Sequence, residues 1–168
     1  MFSDVILYFW TAVLVIANSL SIYLFHQINI SGIVLGKILL PVYFFTLIAG
    51  GRFGWKCGLI VGILTPLVSN ITSGMPIVPI LYFVLFKSAA LGVLSGLIIH
   101  RVAKCSYGIM LKTIIVYQVL GMGFIALFTN SSALIFIDVI KGWPGLIIQL
   151  LFGTYLIKRL QGYEKEVV

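Results

Sequence analysis

The sequence is poor in charge. Only 9% of its 168 residues are Asp, Glu, Lys or Arg, and just 4 of those are acidic. A soluble domain has about 25% charged residues on a chain about half apolar. Here the hydrophobic share is 61% and the mean hydropathy +1.19. Too little polar surface exists to coat a globule in water, so lipid must be the solvent for most of the chain. Intrinsic disorder, which needs low hydrophobicity, is excluded by the same composition.

Other absences narrow the chemistry. The 2 cysteines, Cys57 and Cys105, both fall at expected cytoplasmic ends of spans, where a reducing compartment argues against a disulfide. No CxxC, HExxH or GxSG occurs, and no Walker A sequence GxxxxGK[ST], so any ATP must be hydrolysed by another chain. No span holds paired carboxylates. Asp4 and Asp138 are expected on opposite faces, which rules out an aspartyl peptidase. His26 and His100 are likewise expected on opposite sides and cannot share a metal. The expectation is a chain that is not an enzyme and carries no cofactor or metal.

What is present is apolar length. A helix crossing about 30 Å of hydrocarbon needs about 20 residues. Runs such as Val5–Phe25 and Thr113–Ile137 are apolar on every face, which suits helices rather than the alternating strands of a barrel. Six spans are expected, at roughly 5–25, 33–51, 54–71, 78–100, 109–130 and 141–160. They make a single all-α domain over residues 1–168. The first span follows Asp4 with no basic region before it, so it reads as a retained helix rather than a cleaved signal peptide.

The net charge of +7 is a topology signal rather than a nucleic-acid footprint. Arg52, Lys56, Arg101, Lys104, Lys112, Lys158, Arg159 and Lys165 gather at one side, leaving Lys37, Lys141 and Asp138 opposite. Lys and Arg collect on the cytoplasmic side, so both termini are expected there.

Spans two and three are joined by the tight sequence Ala49-Gly50-Gly51-Arg52-Phe53-Gly54. Gly54, Gly58 and Gly62 then form a ridge of missing side chains for helix packing, repeated by Gly92 and Gly96. Spans three and four meet on the outer side through Ser69–Pro79, the most polar uncharged stretch in the chain. It is longer than a plain connector, and Asn70, Thr72, Ser73, Gly74 and Met75 are candidate ligand contacts.

Lys87 is the sharpest single residue. It lies eight residues after Pro79, about 12 Å into its span, where a charge marks a functional site by default. None of the acids lies within a span. Its partner is therefore either Asp138, brought in by an outer loop, or an anionic group on a ligand. Gln149 sits about 9 Å past Trp143, near the level of Lys87. Asn130 ends span five on the outer side. Trp143 and Tyr82 are either stacking groups or part of the aromatic belt. Gln118, toward the cytoplasmic side of span five and alone at its level, reads as an interhelical hydrogen bond.

The order of these features has a counterpart. Leu40–Gly54 running into Gly58, Gly62 and Pro66, then Thr72-Ser73-Gly74-Met75-Pro76, then Phe86-Lys87 and Leu91–Gly96 resembles the substrate-binding S components of energy-coupling factor (ECF) transporters, bacterial vitamin importers. The likeness covers roughly residues 38–100. It implies a six-helix, S-component-like bundle, multi-pass in the bacterial cytoplasmic membrane. Its partners would be a transmembrane coupling protein and two ABC ATPase subunits, and its ligand a small vitamin or precursor.

By the same resemblance, the outer loops His26–Ile33 and Asn70–Pro76 and the outer parts of helices four to six form the site. That set includes Lys87, Gln149, Asn130, Trp143 and His26. Lys87 stands where similar chains often have glutamate, which favours an anionic or electron-rich ligand. Small residues on the first helix would dock the coupling protein. Ala17 and Ser21 keep the spacing of four, whereas Ala12 and Ala17 are five apart. A membrane scaffold of similar architecture and a stand-alone secondary transporter are the alternatives.

Overall fold

Backbone N–H and C=O groups find no water inside a bilayer, so an apolar chain satisfies them internally, as helix. The computed structural model describes residues 2–30, 33–34, 36, 39, 41–102, 104–129, 140 and 142–166, most of them helical. Helix α1 spans Phe2–Gln27, α2 Pro41–Phe53, α3 Trp55–Ser73, α4 Ile80–Ile98 and α5 Tyr107–Phe128. Residues 142–148 are helical and run through a π turn, Gln149–Gly153, into α6, Thr154–Glu166. A two-residue antiparallel pairing, β1 (Asn29–Ile30) with β2 (Ile33–Val34), follows α1. Among the described residues, four helices are long and apolar enough to cross a membrane: Leu7–Gln27 within α1, then α3, α4 and α5.

The distribution of side chains is the reverse of a water-soluble protein. Helix α5 buries Thr113, Tyr117 and Gln118 while Ile115, Val119, Leu127 and Phe128 are exposed. Helix α1 buries Thr11, Val15, Asn18 and Ile22, one face at steps of four and three, and exposes Tyr8, Phe9, Ile16 and Leu20. An apolar exterior this continuous fits contact with lipid rather than water. Asn18 Nδ2 donates to the Val42 carbonyl at 3.1 Å and to Thr65 Oγ1 at 3.3 Å, tying α1 to α2 and α3.

Three boundaries differ from those read in the sequence. The second span was expected from residue 33, but Ile33 and Val34 pair with the strand before them and α2 begins at Pro41. Proline suits that first position, because the N–H it lacks would have no helical partner there. Helix α3 continues to Ser73, so Ser69–Ser73 belong to its last turns and not to the loop. It stops at Gly74, whose φ of 69° is left-handed and whose N–H donates to the Asn70 carbonyl. The peptide bonds before Pro76 and Pro79 are cis. Helix α5 begins at Tyr107, where the Ser106 hydroxyl accepts from the Ile109 N–H at 3.3 Å.

Helix α2 lies at the centre, packed against α1, α3, α4 and the last helix. It is buried on nearly every side, at Tyr43 and from Thr46 through Gly51. A single residue, Gly54 at φ 89°, joins α2 to α3, so the two must run back along each other. Gly50 and Gly51 stay helical and act by letting neighbours close in: a side chain on Gly50 would strike Ser95 Oγ and the Gly92 carbonyl. The antiparallel pair α3–α4 meets through Gly58 against Gly92, Gly62 against the Ser88 carbonyl, and Trp55 against Gly96. Each advance of about one turn along α3 is matched by one turn back along α4. Without a hydrophobic drive between helices in lipid, this close backbone approach carries much of the packing.

At the other end, Gln161 of α6 staples the α4–α5 connection. Its Oε1 accepts from the Cys105 N–H at 2.9 Å, and its Nε2 points to the Val102 carbonyl at 3.3 Å. Cys57 and Cys105 are both free and buried. Burial pushes the Cys105 thiol up from its ordinary value and outweighs the opposite pull of the Lys158 ammonium.

The glycine contacts make a sharp contrast available. Gly92→Ala drives a methyl group into the Gly58 backbone, whereas Gly123 has nothing within 4 Å of an added Cβ. Gly92→Ala is expected to destabilise the detergent-solubilised protein by about 1–3 kcal/mol, while Gly123→Ala leaves stability unchanged or slightly raised. Thermal melts followed by size-exclusion chromatography read both.

Candidate functional site

The buried residues of α4 recur as Lys87, Ser88, Leu91, Gly92, Ser95 and Gly96. That is one helical stripe, and Lys87 belongs to it. The glycines of the stripe hold it against α3, so the lysine projects into the bundle and is only 1% exposed. It is the eighth residue of α4, about 10 Å from the helix start. Snorkelling to the near interface is therefore not what the side chain does.

The space for its stem is made by α5. A Cβ at Gly121 would lie 2.5 Å from Lys87 Cγ and 2.6 Å from Cδ and Cε. The stem thus runs across a position where α5 has no side chain. Its ammonium donates to Gln118 Oε1 at 2.5 Å, and it lies 5.8 Å from the Tyr43 ring centre and 5.9 Å from that of Tyr117. At such distances the negative faces of the rings attract the cation. The two tyrosine rings are themselves in contact, with centroids 5.8 Å apart.

From Tyr117 the network reaches the last helix. Its hydroxyl donates to Gln149 Oε1 at 3.0 Å. Gln149 is fully buried and opens the π turn, a local widening that recurs at functional sites. Phe86 and Phe124 stack at 4.0 Å just outside the cluster and clamp α4 to α5. The cluster therefore joins α2, α4, α5 and the last helix through Tyr43, Lys87, Tyr117, Gln118 and Gln149.

Two of its polar ends are left over. Lysine has donors only, so Gln118 must present its carbonyl to Nζ and turn its amide N–H₂ away. Among the described residues, Gln118 Nε2 and Gln149 Nε2 are buried without a hydrogen-bond partner. Leaving such a donor unsatisfied costs about 1–3 kcal/mol.

Of the residues expected from sequence, Lys87 and Gln149 are brought together here. The α3–α4 loop is built differently. Asn70 Nδ2 closes it by donating to the Pro76 carbonyl at 2.8 Å. The Thr72 hydroxyl turns back to the Val68 carbonyl and that of Ser73 to the Ser69 carbonyl. Both bond back to their own helix rather than reach outward from a loop. Gly74 and Met75 are exposed at that end. Trp143 is 59% exposed. His26 lies at the end of α1, its Nδ1 2.8 Å from the Ile22 carbonyl and its ring against Gly36. On α1, Ser21 donates to the Ala17 carbonyl at 2.7 Å and Ala12 is exposed. Asn130 and Asp138 lie outside the described residues.

Gln118 makes the interhelical hydrogen bond expected of it, with Lys87 of α4 as the partner, but at mid-helix and inside the cluster rather than alone at its level. Tyr43, Tyr117 and Gly121 were not singled out at all. The usable signal was the run Thr113, Tyr117, Gln118, Gly121, which puts these polar residues of mid-α5 and one of its glycines on one face. No family model, curated protein or solved structure matches the chain.

The fit between Lys87 and Gly121 can be tested by a double-mutant cycle. Gly121→Ala is expected to lower the melting temperature in the presence of Lys87 and to be tolerated once Lys87→Ala has removed the stem. Equal destabilisation in both backgrounds would show that the two positions are not coupled.

Proposed function

We propose that this chain is the substrate-binding S component of an ECF-type ABC importer. In this reading it captures a small water-soluble vitamin or precursor at the outer face of the bacterial cytoplasmic membrane. The observation that carries the reading is the buried cluster of Lys87, Gln118, Tyr117, Gln149 and Tyr43. Polar side chains in a lipid-facing bundle are costly and mark ligand or ion sites, and this cluster gathers polar groups from three helices and a tyrosine ring from a fourth.

The resemblance over residues 38–100 supplies the rest. Six spans, with residues 142–166 as the last, would place both termini in the cytoplasm beside the basic residues Arg52, Lys56, Arg101 and Lys104. The loop closed by Asn70 and Pro76 would lie at the outer mouth. Energy would come from two ABC ATPase subunits through a coupling membrane protein, docked on the first helix near Ala17 and Ser21. A lysine where similar chains often carry glutamate argues for a ligand of opposite or electron-rich character.

The test is partner capture. Affinity-tagged chain purified in mild detergent from membranes of its own host is expected to bring down one multi-span coupling protein and two ABC ATPases, identified by proteomics. Ligand uptake by proteoliposomes holding the purified chain alone, with no ATPase recovered from the host, would overturn the assignment in favour of a stand-alone transporter.

A further inference from the structure

The reading of the cluster as a ligand site leaves open which chemistry the ligand offers. The leftover groups narrow it. Gln149 is 0% exposed and Gln118 6% exposed, and each ends in an amide Nε2 that has no acceptor. Both carbonyl ends are already taken, by the Tyr117 hydroxyl and the Lys87 ammonium. What the cluster has to spare is therefore donors, one from α5 and one from the last helix.

A group that satisfies these donors must accept. Water accepts two hydrogen bonds but brings two donors of its own into a place already rich in them. A carboxylate only accepts, and its two oxygens give about four lone-pair sites in one plane. Hydrogen bonds from amide N–H groups to a charged oxygen are among the stronger ones. Phosphate fits less well, since it carries about −1.5 to −2 charges at neutral pH and burial of a second charge adds a further desolvation cost. A lipid headgroup would also have to leave the interface and descend about 10 Å along α4.

We infer that the cluster recognises the carboxylate of a small water-soluble acid, with Gln118 and Gln149 as its specificity-determining donors. This rests on the chain being a ligand-binding receptor. In such a site Gln118 does two tasks at once: its carbonyl orients the Lys87 ammonium and its N–H₂ meets the acid. Loss of either amide removes a donor without removing the cation.

Untargeted mass spectrometry of molecules released from the detergent-purified protein tests this, with aqueous and organic extracts analysed separately. The wild type is expected to release a carboxylic acid into the aqueous extract. Recovery should fall at least tenfold in Gln149→Leu. It should fall as far in Gln118→Glu, which keeps an oxygen for Lys87 and so the fold, but sets a negative charge against the acid. Size-exclusion profiles and melting temperatures check that both variants are folded.

Release of a neutral, cationic or phosphorylated water-soluble compound would overturn the carboxylate inference and leave the receptor reading standing, whereas phospholipid alone would overturn both. An acid retained undiminished by folded Gln118→Glu would overturn it as well. A wild type that releases no compound above an empty-membrane control would overturn the receptor reading itself, and this inference with it.

Discussion

Everything in this bundle depends on how closely α2, α3 and α4 approach at Gly50, Gly58 and Gly92. Lipid offers no hydrophobic gain for pressing helices together, so contact has to come from shape. Glycine supplies it by removing the side chains that would keep the backbones apart, and a side chain at Gly58 or Gly92 would meet backbone atoms rather than a flexible neighbour. Flexible neighbours can yield, but backbone cannot. Because Gly92 and Gly96 lie on the same stripe as Lys87 and Ser88, fixing that stripe against α3 also fixes where the lysine points. The charge at membrane depth is thus set by residues that never touch it.

A second arrangement follows from the first. With α4 turned so that Lys87 faces inward, something must accommodate a long stem and a cation in a space walled by apolar helices. Helix α5 does so with an absence at Gly121 and a carbonyl at Gln118, three residues apart and hence neighbours on one face. The tyrosine rings of α2 and α5 add their faces to its surroundings. The arrangement satisfies the lysine while leaving two amide donors unmet, a cost of about 1–3 kcal/mol apiece. A bundle selected for stability alone would have apolar residues of similar size at those positions, as replacements of buried polar groups elsewhere have shown.

Much of this was legible in the sequence, and the misses have physical causes. Apolar runs and positive charges at their ends located the helices α1, α3, α4 and α5, because length and hydropathy are properties of single segments. Lys87 stood out for the same reason. Gln118 was legible as an interhelical hydrogen bond but not as the partner of Lys87, because that pairing depends on how α4 and α5 pack against each other. The hydroxyls of Thr72 and Ser73 looked available from sequence because a polar run reads as a loop. In the structure they bond back to carbonyls of α3, the habit of Ser and Thr near helix ends in apolar surroundings. Tyr43 and Tyr117 are two tyrosines among 8, and only the packing of α2 against α5 distinguishes them.

The π turn at Gln149–Gly153 has a bearing on phase. Buried positions in the last helix include Gln149, Gly153 and Ile157, spaced four apart. In a regular helix each step of four overshoots a full circle by about 40°, so such a row would wind away from the bundle axis. The slower winding of a π turn cancels much of that drift, and the row stays aligned with α2 and α5. The same geometry makes the segment intolerant of altered length. One residue more or less between Trp143 and Gln149 would rotate the preceding helical residues by about 100° relative to the turn. The helix would then offer the bundle a different edge above Gln149 while its lower half, anchored by Gln161, stayed in place.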